Sequence, residues 1–166
     1  RILREEKGYT YGARTGFRGS KIPGTFRASS SVRTNTTGES VAIFRDEINK
    51  YKQGISQEDL DFTKNALIKS NARRFETQFA LLGMLQEMSI YGLDQDYIAA
   101  EEATVRNMTL DAHKALANKY LDTSKMAYLV VGDAQSQYTQ FRDMGFDEVL
   151  LLDKEGEEVK LENVKQ

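Results

Sequence analysis

The chain has 166 residues, 40% of them hydrophobic and 29% charged, with a net charge of −2. That is enough for one domain with its own core, and the near-balanced charge provides no global field favouring nucleic acid or an anionic membrane. With zero cysteines, disulfides and thiolate metal sites are excluded, and no apolar run approaches the length of a membrane span.

The first element reads as the end of a helix. Charged helix formers lead to Lys7, a cation well placed at the negative helix end, and Gly8 can take the left-handed conformation that closes it. Tyr9, Thr10 and Tyr11 have strand character. Arg4 thus falls in the last turn and Tyr11 on the outgoing strand, where their polar tips can converge. Alternatively, Arg4 only complements the helix terminus while Tyr11 packs under the sheet. The chain opens at Arg1-Ile2-Leu3-Arg4, inside this helix and without an initiator methionine, as expected of a fragment of a longer protein. Its lack of a signal peptide carries no information on location.

Two strands are predicted over 10–18 and 25–33, joined by the turn Gly19-Ser20-Lys21-Ile22-Pro23-Gly24. In the second, Phe26, Ala28, Ser30 and Val32 alternate with Arg27, Ser29, Ser31 and Arg33, so one face is covered and the other wetter. A polar loop over 34–38 leads to a helix over 39–52, with Val41, Phe44, Ile48 and Tyr51 on one face. Ser56 caps the next helical run, which extends to about Tyr91 with a bend near Ser70-Asn71. Its second part carries Phe75, Phe79, Leu81, Leu82, Leu85 and Met88 around much of its circumference, which predicts burial on most sides. Helices over 96–106 and 110–120 follow, the latter capped by Thr109. The apolar run Met126 to Val131 predicts a fully buried strand, followed by a helix over 136–144 and a strand over 148–152. The domain is expected to span 1–153, with an acidic, frayed tail over 154–166. This order predicts an α+β two-layer sandwich, with helices packed on one face of a mostly antiparallel sheet.

The run Leu3-Arg4-Glu5-Glu6-Lys7-Gly8-Tyr9-Thr10-Tyr11-Gly12 resembles a turn of the pitrilysin/insulinase family of zinc peptidases, closest to its processing-peptidase-like branch. Further motifs follow in the family's order: Ile55 to Lys64 is similar to a helix start, Val105 to Asp111 with Ala115 to Tyr120 to a late helix, and Tyr128 to Asp133 to a terminal strand ending in glycine-aspartate. The resemblance implies a metallohydrolase-like fold, as in mitochondrial processing peptidase, lacking its opening strands. It further implies a non-catalytic, substrate-binding C-terminal domain that closes with a zinc-bearing domain or subunit around an unfolded peptide. The peptide would add as a strand in the catalytic half. Arg4 and Tyr11 are the implied substrate-binding and transition-state-stabilising pair. A structural subunit of the same fold, like the core proteins of the respiratory bc1 complex, is the alternative.

The family's zinc motif, His-x-x-Glu-His, is not in this sequence, whose one histidine is His113. Zinc is therefore expected in the partner domain and His113 at a helix surface or boundary, so the chain alone should be inactive. Neither a Gly-x-Ser-x-Gly turn nor a phosphate-cradling glycine loop is present, and the acidic pairs Glu5-Glu6 and Glu101-Glu102 read as solvated surface. Arg14, Phe17, Arg18, Lys21, Phe26, Arg27 and Arg33 interleave cations and aromatics as single-strand nucleic-acid binders do, but the charge balance argues against that partner. Missing opening strands would leave sheet edge and apolar surface uncovered, hence an expectation of self-association.

Overall fold

The computed structural model describes residues 1–22, 24–146 and 148–160. It is α+β, mostly helical, with a small antiparallel sheet of β1 (Ala13–Phe17) and β2 (Phe26–Ser30). The α-helices are α1 (Thr37–Gln53), α2 (Gln57–Asn71), α3 (Gln78–Tyr91), α4 (Tyr97–Arg106), α5 (Leu110–Tyr120) and α6 (Ala134–Asp143). The chain divides into two compact units: Arg1–Arg18, Gly24–Glu47 and Thr123–Gln166 in one, Gly19–Pro23 and Ile48–Asp122 in the other.

In the first unit, the N-terminal helix end is one wide π-type turn over Ile2–Glu6. Lys7 N–H donates to the Ile2 carbonyl (2.9 Å) and Tyr9 N–H to the Leu3 carbonyl (2.8 Å). Gly8, at φ +62°, makes that closure possible, because a side chain is disfavoured in the left-handed region. Leu3 anchors the turn, being only 5% exposed. The hairpin pairs Ala13 with Ser30 and Phe17 with Phe26, whose rings lie 5.1 Å apart. Phe26, Ala28 and Ser30 are partly covered and Arg27 and Ser29 exposed, as the alternation predicts. Both strands are shorter than 10–18 and 25–33: Thr10 to Gly12 form a side-chain-closed turn and residues 31–33 carry no ladder, although Arg18 N–H still donates to the Thr25 carbonyl (2.9 Å).

The start of α1 is fixed by Thr36 Oγ1 donating to the Arg33 carbonyl (2.9 Å) and buried Ser40 Oγ to the Thr36 carbonyl (2.7 Å). Against it lies α6, where Gln137 Nε2 donates to the Thr34 carbonyl (2.9 Å) and Phe141 is buried. A Cβ on Gly38 would come within 2.5 Å of the Gln140 side chain, so glycine here permits close approach. Asp133 caps α6 by accepting from Gln135 N–H, and the helix consequently starts two residues ahead of the predicted 136.

The helical unit follows its capping residues. Ser56 Oγ accepts from Asp59 N–H (3.0 Å) at the start of α2, and Thr109 Oγ1 from Ala112 N–H (3.2 Å) at the start of α5. The expected single bent run over 56–91 is instead broken. A 3-10 turn at Ala72–Phe75 ends α2, and Thr77, in extended conformation, starts α3 afresh by accepting from Ala80 N–H. Leu60, Tyr97, Ala117 and Leu121 are buried in this unit. Lys64 donates to the Arg106 carbonyl (3.0 Å), and Arg74 pairs with Glu101 (3.0 Å).

Two expectations about burial are corrected. α3 has no buried residue; Phe79 is 86% exposed, and only Ala80, Met84 and Met88, spaced by four, are half-covered. Its apolar circumference has packing on one stripe only. Met126 to Val131 is not a strand among the described residues. Tyr128 packs on Phe146 at 5.0 Å, while Leu129 and Val131 on the alternate face are 83% and 93% exposed. The segment has the composition of a central strand but no ladder partner among the described residues. The strand expected over 148–152 is likewise reduced to one isolated bridge, Leu152 with Glu158, closing the turn around Gly156. Asp147 and residues 161–166 of the expected tail lie outside the described residues.

Candidate functional site

Residues 4–12 concentrate the sequence's chemistry, and they lie within the first unit. Tyr11 is fully exposed at 101%, so it does not pack under the sheet. Arg4 is also exposed, and its Nη2 donates to Glu5 at 2.9 Å. That hydrogen bond is the main cause holding the Glu5 carboxyl below its ordinary range. Such an exposed neighbour pair is weak and easily exchanged for a ligand's acceptor.

The backbone under Tyr11 is braced on both sides. Downstream, Thr10 Oγ1 accepts from Gly12 N–H (3.1 Å) and donates to the Gly12 carbonyl (3.0 Å), a side-chain-closed turn with Tyr11 at its apex. Ser30 Oγ, from the end of β2, lies 3.0 Å from both Thr10 Oγ1 and the Gly12 carbonyl. Upstream, the Glu39 carboxylate accepts from Lys7 Nζ (2.8 Å) on one oxygen and from Tyr9 Oη (2.7 Å) on the other. Arg33 Nη2 donates to the Gly8 carbonyl (3.4 Å), and its guanidinium lies 6.0 Å from the Tyr9 ring centre. The hydrogen bond from Lys7, then that from Tyr9, holds Glu39 below the usual carboxylate range. The bond to Glu39 raises both Tyr9 and Lys7.

Thr10, Ser30 and Glu39 are not candidate site residues from the sequence, and Arg33 is one only in the cation–aromatic set, not as a support of this turn. The Thr10-x-Gly12 spacing was a legible signal for a local turn. Glu39 and Ser30 act across 30 and 20 residues of sequence, respectively, for which no local pattern exists.

The remaining candidates separate. Cross-strand partners share a face, so Arg14 with Ser29 and Gly16 with Arg27 lie on one side of the ribbon, and Phe17 with Phe26 on the other. Cations and aromatic rings of the two strands are therefore on opposite faces rather than in one stacking platform. His113 is half-buried, its Nε2 2.7 Å from Tyr51 Oη and its ring edge-on to Tyr51 at 4.9 Å. Among the described residues, no group of three or more His, Cys, Asp or Glu could hold a metal ion. The residues present do not fit a zinc site. In the helical unit a hollow of about 320 Å³ is lined by Ser70, Arg73, Arg74, Met84, Glu87 and Tyr97. The Tyr97 hydroxyl is buried and so is not presented to solvent there.

Comparison with known proteins bears on the same segment. The family model described as the peptidase M16 inactive domain matches residues 1–67, which hold the braced turn, the hairpin, α1 and the first part of α2. A crystal structure of a peptidase M16 inactive domain from Pseudomonas fluorescens is similar, with 26% identity and a TM-score of 0.66. The match covers 72% of this chain and 29% of that one, so the chain spans less than a third of that structure's length. No curated protein matches the chain. The two matches name the same kind of domain, and the structural one agrees with the α+β fold.

Proposed function

We propose that this M16-type inactive domain is the substrate-binding, non-catalytic part of a zinc-dependent endopeptidase, closing with a zinc-bearing domain or subunit around an unfolded peptide. One observation carries the reading: Tyr11 stands fully exposed at the apex of a turn whose backbone is hydrogen-bonded on both sides. A fixed backbone beneath an unengaged aromatic side chain is how a recognition residue is presented, because little ordering cost remains on binding.

The chemistry follows from the side chains. Peptide hydrolysis develops negative charge on the oxygen of a tetrahedral centre, and a positioned hydroxyl donor stabilises that oxygen more than the ground-state carbonyl. Tyr11 supplies the hydroxyl. Arg4, on exchanging Glu5 for substrate, offers a planar fork of donors to a backbone carbonyl or a terminal carboxylate. Neither role needs a proton to be gained or lost. Zinc belongs to the partner, since one histidine bound to Tyr51 cannot hold it.

The test uses the zinc-complete peptidase. Tyr11→Phe should lower kcat/KM on the order of 100-fold, the usual effect of deleting one oxyanion donor. Zinc content and melting temperature should not change. Arg4→Ala should also slow turnover, and Arg4→Lys should rescue poorly because a point charge cannot bind two acceptors in a plane. Wild-type rates for both Tyr11→Phe and Arg4→Ala would overturn the reading. They would favour the structural-subunit alternative, to which the exposed apolar surface of α3 lends its own support.

A further inference from the structure

We propose that Glu39, acting with Tyr9 and Arg33, is a positioning residue that sets the orientation of the Tyr11 turn. This rests on the reading of Tyr11 as a substrate contact. Glu39 lies in the first turn of α1, a base immobilised by Thr36, Thr37 and buried Ser40 bonding back to the preceding carbonyls. From that base, one carboxylate holds residues on both sides of Gly8, with Lys7 on one oxygen and Tyr9 on the other. Gly8 is the residue with the greatest freedom in this segment, at φ +62° and with open space around its α-carbon. Holding both flanks removes the pivot. Arg33, at the end of the loop entering α1, closes the third side through the Gly8 carbonyl and the Tyr9 ring.

As a stability element this cluster makes little sense. Lys7 and Glu39 side chains are 44% and 47% exposed, and pairs so exposed add little to folding. What two oxygens on a rigid helix start do supply is direction. Together with Thr10 and Ser30 downstream, they leave the Tyr11 side chain as the unengaged part of a fixed turn. Tyr9 and Arg33 therefore act on substrate only through the turn, as Glu39 does.

Three variants of the zinc-complete peptidase test this: Glu39→Ala, Glu39→Gln, and Glu39→Ala combined with Tyr11→Phe. Glu39→Ala should lower kcat on the order of tenfold with KM little changed, since small misplacements of a transition-state contact have effects of this size or larger. Glu39→Gln keeps an acceptor for Tyr9 and should recover part of the loss. In the double variant, Glu39→Ala should add almost nothing to Tyr11→Phe, because the group it positions is gone. Multiplicative effects, or a Glu39→Ala rate equal to wild type while Tyr11→Phe is slow, would overturn the clamp. Amide exchange in the zinc-complete peptidase, which needs no turnover, separates the two ideas. Faster exchange at Tyr9 and Gly12 in Glu39→Ala supports the clamp even if Tyr11→Phe leaves turnover unchanged, an outcome that sinks only the substrate-contact reading. Unchanged exchange at both amides overturns the clamp.

Discussion

Leu3→Ala separates what holds the turn from what the turn presents. Leu3 is 5% exposed, and its carbonyl receives the Tyr9 N–H that closes the chain around Gly8. Replacing it by alanine removes three buried carbons, about 2.4 kcal/mol of transfer free energy at roughly 0.8 kcal/mol per carbon. The cavity left behind adds to this, for a total of about 3 kcal/mol, within the range typical of buried leucines. For a chain of this length each kcal/mol shifts the melting temperature by roughly 2–4 °C, so a fall of about 6–12 °C is expected by circular dichroism. Arg4→Ala and Tyr11→Phe, two neighbours whose side chains are exposed, should melt within about 1–2 °C of wild type, as surface substitutions do. The reasoning is refuted if Leu3→Ala melts with wild type, or if Tyr11→Phe loses as much as Leu3→Ala.

Ser56→Ala should destabilise the helical unit by about 1 kcal/mol, since Ser56 Oγ accepts from Asp59 N–H at the start of α2; urea unfolding followed by helical signal measures it, and no loss would mean that water replaces the cap. The Glu39 cluster should also have a definite pH window. Glu39 accepts from the Lys7 ammonium and from the Tyr9 hydroxyl, and the Arg33 guanidinium lies over the Tyr9 ring. Glu39 is lowered, so its contribution is present above the ordinary glutamate range and lost as pH falls through its folded value. Tyr9 and Lys7 are raised, so theirs are present below their ordinary values and lost as pH rises through the folded ones. Amide exchange of Tyr9 in wild type and Glu39→Ala should differ between those limits and converge at both ends; a difference persisting into acid would show that the carboxylate is not its source.

What was legible in the sequence was whatever short-range chemistry decides. α5 runs over Leu110–Tyr120 as its Thr109 cap and spacing predict, and the alternation of β2 matches its pattern of exposure. Gly8 closes its turn for the reason the sequence gives, its tolerance of positive φ. The errors lie where a neighbour distant in sequence decides. The helix break at Thr77 is the local exception: its hydroxyl caps Ala80 N–H three residues on and restarts a helix that periodicity alone runs through. Composition alone predicts burial for the apolar runs at 126–131 and in α3, but among the described residues Phe79, Leu129 and Val131 stand exposed and 126–131 has no ladder partner.

The same distinction explains why the candidate pair was legible and its support was not. Arg4 and Tyr11 sit within one decapeptide, so their spacing is a local fact. The residues that hold Tyr11 in place come from the end of β2 and the first turn of α1, reached by folding across 18 to 32 residues. Those contacts join polar groups at the surface, so neither hydrophobic periodicity nor helix propensity records them. A turn braced by two such elements keeps its shape while its exposed apex residue remains open to a ligand. That combination is what distinguishes Tyr11 from an ordinary surface tyrosine, whose backbone would move with its side chain.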